Sequence, residues 1–217
     1  MGVKWWWRNK IFLYRKFKQV YQKLLYIIEI RKFNKIDTNK KLKIIIGASE
    51  TKYEGWISTN EILLNLINEK TFNQILKKNS VDNFLAEHVF EHLTENEGKI
   101  AVENCYKYLK PGGILRIAVP DGFFPDPKYI NSTKPGGSGP GAYNHKVLYN
   151  YLTIKEIFDQ DKFILNFIEY FNQYGKFNEK KLSNENGFIL RSRYNDNRNN
   201  KEAINYTSLI LDAIKIW

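Results

Sequence analysis

The sequence is poor in the residues that build covalent or metal-bound scaffolds. Among 217 residues there is one cysteine, Cys105, and only three histidines, so no internal disulfide can form and neither a zinc ribbon nor a zinc finger can be assembled. A lone cysteine suits a reducing, cytoplasmic setting. Long apolar runs are also missing. The longest, Leu24 to Ile30, is interrupted by Glu29 and falls well short of the ~20 apolar residues that span a bilayer. Charges recur through the N-terminal segment where a secretory signal keeps an unbroken apolar stretch, and Trp6 stands where a myristoylation pattern after Gly2 requires Ser or Thr.

What is present argues for a folded body with an attachment. Hydrophobic residues make up 43% and aromatics 15%, enough for a core and too many for a disordered chain. The formal net charge of +11 is unevenly placed. Residues 1–43 hold 13 of the 34 Lys and Arg and 2 of the 23 Asp and Glu, and the rest of the chain is balanced. The basic character therefore belongs to the N-terminal segment and describes no site in the body. In that segment Trp6, Leu13, Phe17, Val20, Leu24 and Ile28 recur at helical spacing among Lys and Arg, with Trp5, Trp6 and Trp7 at one end. This predicts a basic amphipathic helix over residues 1–41. It suits an anionic membrane surface or a partner protein contacted through residues 1–35, or packing on its own domain. Nucleic acid is disfavoured, because no RNA- or DNA-binding signature accompanies the charge.

From Leu42 onward, runs of Ile, Val and Phe alternate with helix-like stretches, predicting an α/β domain over 42–217. Strands are expected at Lys43–Gly47, Trp56–Asn60, Asn83–His88, Ile114–Pro120, Phe163–Phe171 and Thr207–Lys215, with helices between. Thr94-Glu-Asn-Glu97 reads as a capping box that starts a helix, and Pro111-Gly112-Gly113 as its stop. A further helix is expected near Thr153–Asp161. Gly47-Ala48-Ser49 follows the first strand as a tight turn but is not G-x-G-x-x-G. His88-Val-Phe-Glu91-His92 has the H-x-x-E-H spacing of a zinc protease, yet His88 closes an apolar strand and no third ligand is evident, so no metal is expected. His92 is expected to pack under the sheet at a helix start.

Read together, IIIGAS, EGWISTN, NSVDNFLAEHVFEHL, CYKYLKPGGILRIAVPD and TSLILDAIK resemble, in order, the class I S-adenosylmethionine (SAM)-dependent methyltransferases, and YLKPGG after EHL resembles their type-11 branch. PDPKYI and PGGSGPGAYNHKVLYNY are similar to small glycan-modifying methyltransferase domains of bacteria and large DNA viruses. The resemblance implies a Rossmann-like, doubly wound, seven-stranded and mostly parallel sheet with a reversed last hairpin, although a strand between Asn60 and Asn83 is hard to see. It implies SAM as cofactor, held by Gly47, Ala48, Ser49, Asn60, Glu61, Asn65, Glu87 and His88. Ser49, Asn60 and Asn65 depart from the family's Gly, Asp and Asp, and each Asn for Asp gives up a charge-assisted hydrogen bond, about twice as strong as a neutral one.

The implied activity is O-methylation of a sugar hydroxyl in a glycan or glycan precursor. The alternative is a weak or inactive methyltransferase-like binding or scaffold protein held in place by its N-terminal helix. Methyl transfer to oxygen needs a proton acceptor. His145, Asp121 and His88 are the candidates, and the aromatics from Phe123 to Tyr151 are candidates for stacking on a sugar.

Overall fold

The computed structural model describes residues 20–21, 24, 26–28, 30–31, 33 and 41–217. The chain divides into two compact units, residues 1–38 and 39–217. In the first, every described residue is α-helical, and Val20, Leu24, Ile27 and Ile28, spaced along one helical face, are exposed. Trp5, Trp6, Trp7, Leu13 and Phe17 lie outside the described residues. No helix among the described residues is long and apolar enough to cross a membrane.

The second unit is built on a seven-stranded sheet. Its strands are β1 (Lys43–Ile46), β2 (Ile57–Ser58), β3 (Val81–Glu87), β4 (Leu109–Pro120), β5 (Phe163–Phe171), β6 (Phe177–Glu179) and β7 (Ser208–Lys215). They lie in the order β2-β1-β3-β4-β7-β5-β6. The pairs from β2 to β4 are parallel, and those joining β4 to β7, β7 to β5 and β5 to β6 are antiparallel, so β5 runs with β1 to β4. The central strands read as unbroken apolar runs because both faces are covered. Neighbouring residues of β3 show this. Phe84 meets Phe72 at 6.2 Å on one face, and Leu85 joins Ile45, Ala118, Ile189 and Ile210 on the other.

Helices α1 (Glu69–Ile75) and α2 (Glu95–Tyr108) cover the Phe84 face. The capping box of α2 forms as expected, Thr94 accepting from the Glu97 N–H and the Glu97 carboxylate accepting from the Thr94 N–H. Phe72 stacks on Tyr108 at 5.0 Å, and Asn104 donates to the Leu66 carbonyl at 2.8 Å. The opposite face is covered differently. The link from β1 to β2 contains no helix, because Gly47, Ser49 and Gly55 all take positive φ, which interrupts a helix. Tyr53 and Trp56 pack on the Leu85 face together with Leu182 and Ile189 from the long connection between β6 and β7. The buried Arg116 fixes that connection. It makes a paired contact with Asp212 (Nε to Oδ1 2.7 Å, Nη2 to Oδ2 2.8 Å), and its Nη1 donates to the carbonyls of Ser183 and Gly187, each at 2.6 Å.

Several expectations are corrected. Residues between Asn60 and β3 form turns and α1, and Leu63, Leu64 and Leu66 are buried at near-consecutive positions, which no alternating strand could achieve. The seventh strand is instead β6, folded back on β5. Helix α2 ends at Tyr108, and Pro111-Gly112-Gly113 sits within β4 as an irregular step between the pairings of Val81 and Asn83. The stretch Thr153–Ile157 is a 3₁₀ turn. Helix α3 (Pro127–Thr133), capped by Asp126 and with Pro at its start, rises inside what reads as a loop.

Candidate active site

A cavity of about 290 Å³ opens at the carboxyl ends of β1 and β3, lined by Gly47, Ala48, Ser49, Thr51, Tyr53, Glu87, His88, Glu91, His92, Pro140, His145, Leu190 and Arg191. This is where an open α/β sheet places its ligand. A larger hollow of about 710 Å³ lies between α2 and the Thr153–Ile157 turn. It is lined by Phe163 at the amino end of β5 and by no carboxyl strand end, and two of its charged pairs, Lys107 with Glu69 and Lys162 with Glu103, satisfy each other at 2.8 Å.

The turn after β1 is stitched to the end of β2. The Ala48 N–H donates to the Thr59 carbonyl at 2.9 Å and the Ser49 N–H to Asn60 Oδ1 at 2.8 Å. Gly47 has φ +62° and Ser49 φ +50°, left-handed backbone that suits glycine, so the Gly found at the second position in the methyltransferases that the sequence resembles has a conformational cause. A Cβ on Gly47 would come within 2.7 Å of Val89 Cγ2. Glu87 closes the opposite wall. Its carboxylate accepts from the Arg191 N–H at 2.8 Å and the Leu190 N–H at 3.2 Å, holding the long connection against the sheet ends. Burial and the neighbouring Glu87 carboxylate push Tyr53 up to about 12.

The rest of the cavity is a carboxylate ringed by imidazoles. His88 takes φ +54° as the chain leaves β3, the strained geometry often found at functional turns. Its Nδ1 lies 3.0 Å from Glu91 Oε1 and its Nε2 3.1 Å from Ser208 Oγ. Glu91 is fully buried, and neither of its oxygens makes an aligned hydrogen bond with any described residue. His145 Nδ1 contacts the Thr133 carbonyl at 2.6 Å. A carbonyl only accepts, so Nδ1 carries the hydrogen, and neutral His145 keeps its lone pair on Nε2, 4.0 Å from Glu91 Oε1. The His92 ring meets that of His145 edge-on at 4.8 Å. Burial and the carboxylates of Glu95 and Glu91 push Tyr149 up to about 12.

The fold thus brings Gly47, Ala48, Ser49, Glu87, His88 and His145 to one cavity. Asn60 stands behind it and spends its acceptor on Ser49. Glu61 and Asn65 do not line it. The Asn65 amide donates to Glu61 at 3.1 Å while its oxygen accepts from the Ile67 N–H at 3.0 Å, so both shape their own turn. Asp121 does not line it either. It is buried behind the β4 end, and its two oxygens accept from the N–H groups of Phe123 (2.9 Å) and Phe171 (2.6 Å). Burial raises its carboxyl to about 6 against the opposing effect of those bonds. Of the loop aromatics, Phe124 and Tyr129 belong to a buried cluster with Phe171 and Tyr206, while Tyr143 is 84% exposed. His92 is half-buried at the cavity wall rather than packed under the sheet. Glu91, His92, Tyr53 and Arg191 are additions. The first two were visible only as parts of the H-x-x-E-H run, and Tyr53 and Arg191 carried no signal.

Residues 47–117 match the family model described as a methyltransferase domain. No match was found among curated protein sequences. Among solved structures, a SAM-dependent methyltransferase from Archaeoglobus fulgidus aligns with 16% identity and a TM-score of 0.43 over 93% of this chain and 98% of that one. Another from Thermotoga maritima aligns with 13% identity and a TM-score of 0.47 over 95% and 96%. The matched stretch runs from the Gly47 turn through β3 into β4 and carries Gly47, Glu87, His88, Glu91 and His92 of the cavity.

Proposed function

We propose that the chain is a class I SAM-dependent methyltransferase that transfers a methyl group to a hydroxyl oxygen, and that the hydroxyl belongs to a sugar in a glycan or glycan precursor. The observation that carries the reading is the buried Glu91 carboxylate beside His88, on the wall of the same cavity as the Gly47 turn. The residues present fit the cofactor. Arg191 offers a cation for its carboxylate and Glu87 an acceptor for its amine, while the left-handed turn at Gly47 leaves backbone rather than side chain at the cavity wall. Ala48 and Ser49 continue that wall, and Asn60 fixes it.

SAM supplies a methyl group on a sulfonium centre, and its transfer to oxygen is an in-line displacement that leaves the hydroxyl proton to be taken up. The chain's own part is positioning and proton removal. Glu91 faces Nδ1 of His88 and favours the tautomer with hydrogen there, which leaves Nε2, now shared with the Ser208 hydroxyl, as the basic nitrogen. His145, held through Nδ1 by Thr133, presents Nε2 to the acceptor side. Tyr143, exposed on the loop that carries His145, offers a ring face on which a sugar can stack. Asp121 serves as a brace between β4 and β5. Residues 1–35 supply attachment to an anionic membrane surface, supported by their basic charge and by exposed Val20, Leu24, Ile27 and Ile28.

Incubation of the full chain with methyl-labelled SAM and a panel of nucleotide sugars, oligosaccharides, peptides and RNA tests the reading. Label in a sugar-containing acceptor, lost in His88→Ala, is expected. Label in RNA or peptide alone would overturn it.

A further inference from the structure

Glu91, His92 and His145 each place one ligand atom within 4.8 Å of the others. We propose that they form a binding site for a single divalent transition-metal ion at the acceptor end of the cavity.

The fold assembles the three deliberately. The turn Phe90–His92 carries two of them, and the backbone of the third is clamped to it, the Lys146 N–H donating to the Glu91 carbonyl at 2.6 Å. Their side-chain atoms are disposed as ligands. His145 spends Nδ1 on the Thr133 carbonyl and turns Nε2 toward Glu91, the outer-sphere arrangement that fixes a metal-binding imidazole. His92 Nδ1 faces the Asn144 carbonyl at 3.4 Å, which leaves Nε2 free. Glu91 Oε1 is 3.0 Å from His88, and Oε2 has no partner among the described residues although the residue is fully buried. A buried carboxylate without aligned hydrogen bonds calls for a cation. Ligand atoms around a tetrahedral zinc sit about 3.3 Å apart, from bonds of about 2.0–2.1 Å, so side-chain shifts of about an ångström close the site.

Two imidazoles and one carboxylate select Zn²⁺, Co²⁺ or Mn²⁺ over Mg²⁺, and three protein ligands leave coordination positions open toward the cavity. The H-x-x-E-H run is therefore metal-binding in a form its spacing does not suggest. His88 is displaced to the strand end, and His145, more than fifty residues away in the chain, replaces it. Resting on the methyltransferase reading, the ion's role is to hold the acceptor oxygen beside His88.

Titration of Co²⁺ into the metal-free full chain, with SAM and acceptor both absent, tests the site. One equivalent should bind with visible d–d absorption, Zn²⁺ should displace it and Mg²⁺ should not. His92→Gln, at the cavity wall and not in the core, should weaken binding by at least about tenfold without lowering the melting temperature, and His145→Gln should weaken it as much, with some loss of stability because the Thr133 carbonyl loses its buried donor. No absorption at millimolar Co²⁺, or binding indifferent to both substitutions, overturns the proposal whatever the fate of the methyltransferase reading. Chelation should then suppress methyl transfer while SAM binding persists, and unchanged transfer in metal-free enzyme would refute the ion's role.

Discussion

Arg116→Met tests how the long connection between β6 and β7 is held over the cavity end of the sheet. The side chain lost is almost fully buried and makes four hydrogen bonds, two to Asp212 and one each to the carbonyls of Ser183 and Gly187. Breaking a buried ion pair by removing one partner costs about 3–5 kcal/mol, because the other charge stays buried. An unsatisfied buried carbonyl costs about 1–3 kcal/mol, less if water reaches it. Among the described residues, Asn186 alone still faces the Asp212 carboxylate, its amide 3.2 Å from Oδ2. The expected loss is therefore about 4 kcal/mol or more, a drop of about 10 °C in melting temperature for a domain of this size. Because Leu190 and Arg191 line the cavity, SAM affinity should fall as well. Urea unfolding followed by circular dichroism gives the number. Asp212→Leu added to Arg116→Met should restore part of the loss, since it removes the stranded charge. A loss under about 1 kcal/mol in the single variant, or a double variant worse than the sum of the singles, would refute the reasoning.

Gly47→Ala forces a side chain into φ +62° and onto Val89 at 2.7 Å. The left-handed backbone alone costs about 1–2 kcal/mol, and SAM affinity should fall with stability. Adding Val89→Ala should recover the contact part and leave the backbone part, as read by thermal melts. Asp121 has a folded-state pKa of about 6 against about 3.9 unfolded. The native state therefore binds the proton more tightly, and the group's contribution is most favourable below pH 4, falls through pH 4–6 by about 3 kcal/mol, and is flat above. Asp121→Asn should remove that slope from urea midpoints measured across the interval, and an unchanged slope would contradict the assignment. The full chain should co-sediment with anionic liposomes and be released at high salt, each Lys or Arg near the surface adding about 1 kcal/mol. Replacing Val20, Leu24 and Ile28 by Ser should weaken the association without touching SAM affinity.

The central sheet was legible because buried parallel strands are apolar runs with clear ends, and KIII, NFLAE and ILRIAVP announce themselves. The α2 start was legible because a capping box is a local pattern. The missing strand after Asn60 was not, since Leu63, Leu64 and Leu66 could equally fill a strand or a buried turn. The covering of the second sheet face by residues 180–207 left no periodic signal, because an irregular segment pinned by Arg116 needs only carbonyls at the right places. At the site, Gly47 and Glu87 followed from the rule about strand ends. Asp121 obeyed the same rule and failed it, because its carboxylate turns inward to two backbone N–H groups. The convergence of His145 on Glu91 depends on one backbone bond from Lys146, a long-range contact that sequence spacing cannot express.

Calorimetric titration of SAM into the full chain tests the central claim most directly. Saturable binding at one site is expected, weakened by Gly47→Ala and tightened by Asn60→Asp, which keeps the acceptor for the Ser49 N–H and adds a charge to it. No heat at millimolar SAM, or binding indifferent to both substitutions, would contradict the assignment of this cavity as the methyl donor's site.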